Sequence, residues 1–221
     1  MNRTILAAGQ NLTEGPPTDF LRRADIITTQ ETRPWRLRRG LPGKRHHIHP
    51  RDRHQAISWG PVYTVTDRGY ARFHRSGRAE GWKFRTPARG ALWTTGHLFG
   101  DPDLKLAVID MWWLNSWGKD NAEGPARKAV IEERTIPVVD RLLNRLHRED
   151  YTVLMQGDTN NIRWSGLMPN MWRVAATGLD RMWVTRGGIL TPTGPLLHGP
   201  ETGVGSDRRH RAIGQRFEVS A

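Results

Sequence analysis

Short apolar runs separated by Gly, Pro and Asp turn signals recur along this sequence, and a single long amphipathic segment interrupts them. Residues 4–8 read as a short buried strand, 16–24 as a helix with prolines in its opening turn, and 25–31 as a second strand. A strand–helix–strand start suits a parallel pair joined by a crossover. Runs at 55–59, 62–66, 70–73, 91–95 and 104–114 then follow one another directly, which implies an antiparallel portion. The amphipathic segment spans Pro125 to Glu149, where Val138, Leu142 and Leu146 align at i, i+4 and i+8 beside Val139 and Leu143. Pro137 should kink or divide it. Residues 151–155, 181–185 and 211–219 complete the expected strands. Between Arg33 and His54 the chain is dense in Arg, His, Pro and Gly without periodicity and is expected to be an exposed loop over a rim.

A chain of 221 residues can bury one substantial core, so one domain is expected. Hydrophobic residues make up 37% and there are ten Trp, enough for a packed interior. Lys and Arg number 34 against 22 Asp and Glu, a formal net charge of +12 carried mostly by arginine. Arginine grips phosphate in a bidentate fork, so a polyanionic partner, nucleic acid first, is the expectation. A basic surface that merely aids solubility is the plainer alternative. The absence of cysteine excludes disulfides, thiolate zinc sites and cysteine nucleophiles. No run approaches the roughly 18 apolar residues that span a bilayer. A soluble, cytoplasmic monomer that makes no membrane contact is expected.

The ends of the apolar strands carry the chemistry, because a strand terminus fixes a side chain where substrate can reach it. Asn11 follows the first strand and Gln30-Glu31 ends the second. Gly157-Asp158-Thr159-Asn160 follows the strand from Tyr151, Leu179-Asp180 precedes the strand from Arg181, and Ser206-Asp207 with His210 opens the last. Singly, each has a bland explanation. Glu31 could cap a helix, Asp158 and Asn160 could make an Asx turn, Asp180 could join a surface ion pair, and His210 could be one more base in Arg208-Arg209-His210-Arg211.

In order and placement, these pieces resemble the motif series of the endonuclease/exonuclease/phosphatase superfamily, the DNase I-like proteins, over nearly the whole chain. The resemblance implies a four-layer α/β sandwich of two packed mixed sheets flanked by helices. It implies a metal-dependent phosphodiesterase, with nucleic acid as the leading substrate. Glu31 would bind Mg²⁺ or Mn²⁺, Asn11 would support that ion or the phosphate, and Asp207 would be a second ligand. Asp158 would orient the attacking water and Asn160 hold the phosphate. His210 would contact the phosphate, oriented and charge-stabilised by Asp180.

Two features depart from the family pattern. Ser-Asp-His is usually contiguous, whereas Arg208 and Arg209 separate Asp207 from His210 here, so either Asp207 or His210 keeps the family register. Trp112 and Trp113 stand where a strand His is usual; an indole is no proton donor to a leaving group, which turns attention to Asn115, His97 or a metal-bound water.

The cluster His46, His47, His49 and His54 admits a zinc reading. Set among Arg36, Arg38, Arg39, Lys44, Arg45, Arg51 and Arg53, it makes a better phosphate-binding rim, to which Arg208 and Arg209 add. Trp35, Trp59, Trp82, Trp112, Trp113 and Trp117 could stack on unpaired bases, although core packing is the commoner fate of Trp. Two other readings stay open: a phosphatase or phosphodiesterase for a small or lipid-linked phosphoester, and a nucleic-acid-binding module that has lost turnover.

Overall fold

The computed structural model describes residues 3–12, 16–49, 54–75, 89–112, 131–158, 170–177, 180–202 and 210–220. They form two six-stranded mixed sheets. The first contains β1 (Arg3–Asn11), β2 (Ile26–Gln30), β3 (Arg45–Ile48), β4 (Gln55–Trp59), β11 (Leu190–Thr202) and β12 (His210–Val219), in the order β11-β12-β1-β2-β4-β3. The second contains β5 (Tyr63–His74), β6 (Arg89–Leu98), β7 (Lys105–Trp112), β8 (Thr152–Asp158), β9 (Met171–Thr177) and β10 (Asp180–Thr185), in the order β5-β6-β7-β8-β10-β9. One parallel pair sits inside each sheet, β1 with β2 and β7 with β8, and the other pairings are antiparallel.

Period-two patterning sorts the side chains into layers. Along β7, Leu106 and Val108 enter the core between the sheets, where Ile5, Ile26, Ile57 and Phe217 of the first sheet meet them. Ala107, Ile109 and Met111 point the other way, against Val139, Leu142, Leu143 and Leu146 of α3 (Ile136–Arg148). On the outer face of the first sheet, Ala8, Ile27 and Ala56 pack on Leu21 of α1 (Asp19–Arg22) and on Leu37 of α2 (Pro34–Gly40). The result is helix, sheet, sheet, helix: the expected four-layer α/β sandwich. Each fully buried Leu or Ile in these layers contributes roughly 1.5–3 kcal/mol against solvent exposure.

Three expectations about elements need correction. The stretch from Arg33 to His54 holds a helix and a strand, α2 and β3. Leu37 and Leu41 are buried one helical turn apart beneath the arginines. Residues 62–66 and 70–73 belong to one long strand, β5, whose register shifts between Val65 and Asp67. The helix at 16–24 is a single turn that starts after the prolines. The amphipathic segment is divided at Pro137 as expected, a π-helical turn at Ile131–Thr135 preceding α3, in whose first turn the proline's missing N–H costs nothing. Residues 125–130 lie outside the described residues.

Candidate active site

The parallel strands β1, β2, β7 and β8 all end at one edge of the sandwich, and β4, β6, β10 and β12 begin there. Inward positions that are apolar along the strands turn polar at this edge. Asn11, Gln30 and Gln55 come from the first sheet; Asp110, Trp112, Gln156, Asp158 and Asp180 come from the second. All are buried, with His210 beside them. An apolar core therefore runs directly into a buried polar cluster.

The polar groups pair across the gap between sheets. Asn11 Nδ2 donates to Asp158 Oδ2 at 3.1 Å. His210 Nδ1 donates to Asp180 Oδ2 at 3.0 Å. Gln30 Nε2 donates to Asp110 Oδ1, and Gln55 Nε2 reaches Asp110 Oδ2 at 3.2 Å and the Gly90 carbonyl at 3.1 Å. Each pair takes one member from each sheet, so the site forms only where the two sheets meet.

Asp158 and Asp180 stand directly opposite each other on antiparallel β8 and β10. Like charges at such positions repel, with Cβ atoms roughly 4.5–5.5 Å apart. Burial, reinforced by the Asp158 charge, pushes the Asp180 carboxyl up to about 7 against the downward pull of His210. Asp180 Oδ1 has no hydrogen-bond partner among the described residues. The carboxylate thus holds one imidazole nitrogen and fixes the ring, leaving Nε2 as the ring's second hydrogen-bonding atom. The surface ion-pair explanation for Asp180 fails, since its side chain is 3% exposed.

Two glycines let backbone and side chains approach this closely. A methyl on Gly9 would overlap the Gln156 amide and stand 2.6 Å from Thr28 Oγ1. A Cβ on Gly157 would meet the Met111 carbonyl oxygen at 2.0 Å, which explains the glycine of Gly157-Asp158.

Glu31 follows β2 at φ 50°, a left-handed conformation uncommon for a residue with a Cβ. Its carboxylate, the Asn11 amide oxygen and the Asp207 carboxylate are all hard oxygen donors, a set that fits Mg²⁺ or Mn²⁺. Asp207 lies outside the described residues, as do Asn160, Arg208, Arg209 and Trp113. Among the described residues no group of three or more His, Cys, Asp or Glu can hold a metal ion. The zinc reading fails for that reason. His46 Nδ1 lies 2.9 Å from Ser58 Oγ, His47 donates to the Gly69 carbonyl and His49 stacks on Tyr70.

The structure separates the rim arginines. Arg36, Arg38 and Arg39 lie on α2, which begins three residues after Glu31. Arg45 pairs with Trp59 at the far end of β4 from Gln55, about 13 Å along the strand from the polar edge. His97 pairs with Lys105 at the start of β7, seven residues from Trp112 at its end, and stands too remote to serve as the acid.

Sequence reasoning missed Asp110, Gln55 and Arg89, and placed His54 in the basic rim without its contact to Trp112. The Arg89 guanidinium lies 3.1 Å above the Trp112 ring, and the His54 ring centroid lies 5.6 Å from that of the indole, so two basic residues contact it. Asp110 was legible as a lone acid at an inward position of an apolar strand. Arg89 carried no such signal, because it is one base among many.

Two parallel strand pairs end at one polar edge, with paired carboxylates and an acid–histidine dyad, and define a candidate active site on a two-sheet sandwich. This sandwich is the endonuclease/exonuclease/phosphatase, DNase I-like, fold. The structure is similar to an endonuclease/exonuclease/phosphatase family protein from Bacteroides thetaiotaomicron, with TM-score 0.64, 13% identity and 100% of each chain covered. It is similar to the Bacteroides thetaiotaomicron mannosyl-6-phosphatase Bt3783, with TM-score 0.65 and 13% identity over 96% of this chain and 99% of that one. It is also similar to D. rerio TDP2 in complex with a single-strand DNA product, with TM-score 0.64 and 13% identity over 97% and 98% of the two chains. No protein-family model matches the chain, and no curated protein matches it in sequence.

Proposed function

We propose that this protein is a divalent-metal-dependent phosphodiesterase that hydrolyses DNA or RNA. The observation that carries the reading is the row Asn11, Asp158, Asp180 and His210, in which two opposed carboxylates are each held by a partner from the other sheet. Asp158, steadied by Asn11, orients and deprotonates the attacking water. His210, held by Asp180, binds the phosphoryl oxygens on which charge develops. Asn160 adds an amide to the phosphate. Glu31, Asn11 and Asp207 would hold Mg²⁺ or Mn²⁺, which when bound supplies Lewis-acid polarisation of a phosphoryl oxygen. The surplus of arginine, including Arg36, Arg38, Arg39, Arg208 and Arg209, favours a polyanion over a small phosphate.

The likeness to a sugar phosphatase supports a second reading, hydrolysis of a small phosphoester by the same groups. Trp112 in place of a strand His supports a third, a module that binds nucleic acid without turnover. Nicking of supercoiled plasmid in Mg²⁺ and Mn²⁺, with chelator and an Asp158→Ala variant as controls, tests all three. Metal-dependent nicking lost in the variant is expected. Hydrolysis of small phosphoesters without nicking would select the second reading. Salt-sensitive plasmid binding with no product of either kind would select the third.

A further inference from the structure

Trp35 is the most exposed large hydrophobic side chain among the described residues, at 59%, although the chain buries Trp59, Trp93, Trp112 and Trp183. It lies in the first turn of α2, four residues beyond Glu31, so the two Cα atoms are at most about 14 Å apart. Leu37 turns inward and anchors the helix on the first sheet. A helix advances 100° per residue, which puts Trp35 on the opposite, solvent side. The helix contains Arg36, Arg38 and Arg39 and no acid. Among the described residues none of these three arginines makes an ion pair. The Arg36 guanidinium lies 5.0 Å from the Trp35 ring centroid.

The indole offers an open stacking face among guanidinium groups that make no ion pair among the described residues. A base-bearing single strand satisfies both features. Its bases stack on the indole, and its phosphates meet the guanidinium groups. A duplex keeps its bases stacked on one another and offers only phosphates, and a small phosphoester has nothing to place on the indole.

We infer that α2 is a base-stacking platform, with Trp35 as its aromatic surface and Arg36, Arg38 and Arg39 as its phosphate contacts, that seats unpaired nucleotides beside the active site. This inference deepens the proposed hydrolysis of nucleic acid by naming single-stranded or frayed segments as the preferred substrate.

The test measures binding, in the Asp158→Asn background, of three fluorescent probes of equal phosphate count: oligo(dT), an abasic single strand and a duplex. Trp35→Ala should weaken oligo(dT) by roughly 5- to 150-fold, the range set by one lost base stack, and leave the other two within about twofold. Trp35→Phe should restore much of the oligo(dT) binding. Equal losses on all three probes, or no loss on any, would overturn the inference. Because the readout is binding, it holds or fails separately from the nicking assay: a protein that discriminates oligo(dT) through Trp35 but nicks nothing keeps the platform and loses the nuclease.

Discussion

Asp180 and His210 meet at 3.0 Å although β10 and β12 belong to different sheets, and the carboxyl is buried beside a second acid, Asp158. The dyad is therefore electrostatically tuned by the packing of the sandwich itself. Asp180 should ionise only as pH rises through about 7, because burial and Asp158 outweigh the imidazole's attraction. If the ionised form holds His210 for the phosphate, the rate should climb through neutrality. Asp180→Asn should lower kcat at least tenfold and abolish that acid limb, as read from kcat profiles between pH 5 and 9.

The same shift has a stability consequence of opposite direction. The folded pKa lies above the ordinary carboxylate value, so between about pH 4 and 7 the native state holds more protons than the unfolded chain. Stability from this group is complete below about pH 4 and declines as pH rises to about 7. Asp180→Asn should therefore raise Tm relative to wild type at pH 8 and change it little at pH 4. A lower Tm at pH 8 would show that the His210 pairing outweighs desolvation.

Asn11 is fully buried and its amide holds Asp158. Asn11→Ala leaves that acid short of a donor, at a cost of about 1–3 kcal/mol by urea denaturation, and should lower kcat with less effect on KM. Asp158→Asn should eliminate turnover while the fold, read by circular dichroism, persists.

Glu31 combines a left-handed backbone with a carboxylate. Glycine relieves the first and removes the second. Glu31→Gly should keep or gain stability, by up to about 1 kcal/mol, yet lose the thermal shift that the proposed metal site should give the wild type in Mg²⁺, and require far higher metal for activity. Chelator should reproduce that loss in the wild type. An unchanged Mg²⁺ response in the variant would remove Glu31 from the metal site.

Gly9 of β1 faces the Gln156 side chain of the other sheet with no room for a methyl. Gly9→Ala should cost about 1–3 kcal/mol, because Gln156 and Thr28 must both retreat, and should impair turnover through the displaced pocket floor. Urea denaturation and kcat measured together check the paired loss.

The strands that sequence reading found and those it missed differ in where they lie. Every interior strand was visible as an apolar run, because both faces of such a strand are covered. The missed strands, β3, β9 and β11, are all at sheet edges. There one side of the ladder is unpaired, so Arg45, His46 and His47 suffice in β3, and β11 tolerates Pro192 and Pro195. Site residues followed a similar rule. Acids and amides that end apolar runs, such as Asn11, Glu31 and Asp158, were legible from position alone. Partnership was not, because the pairing of Asp180 with His210 or of Gln55 with Asp110 depends on which strands face each other across the sandwich. The resemblance supplied the first pair; only the fold shows the second.

The last strand in chain order, β12, lies between β11 and β1 in the interior of its sheet and brings His210 with it. A growing chain that has not yet made β12 leaves a gap beside β1 and has no imidazole opposite Asp180. Under the proposed function, the imidazole that would hold the phosphate reaches Asp180 only when β12 enters the first sheet, so activity would arrive together with closure of that sheet.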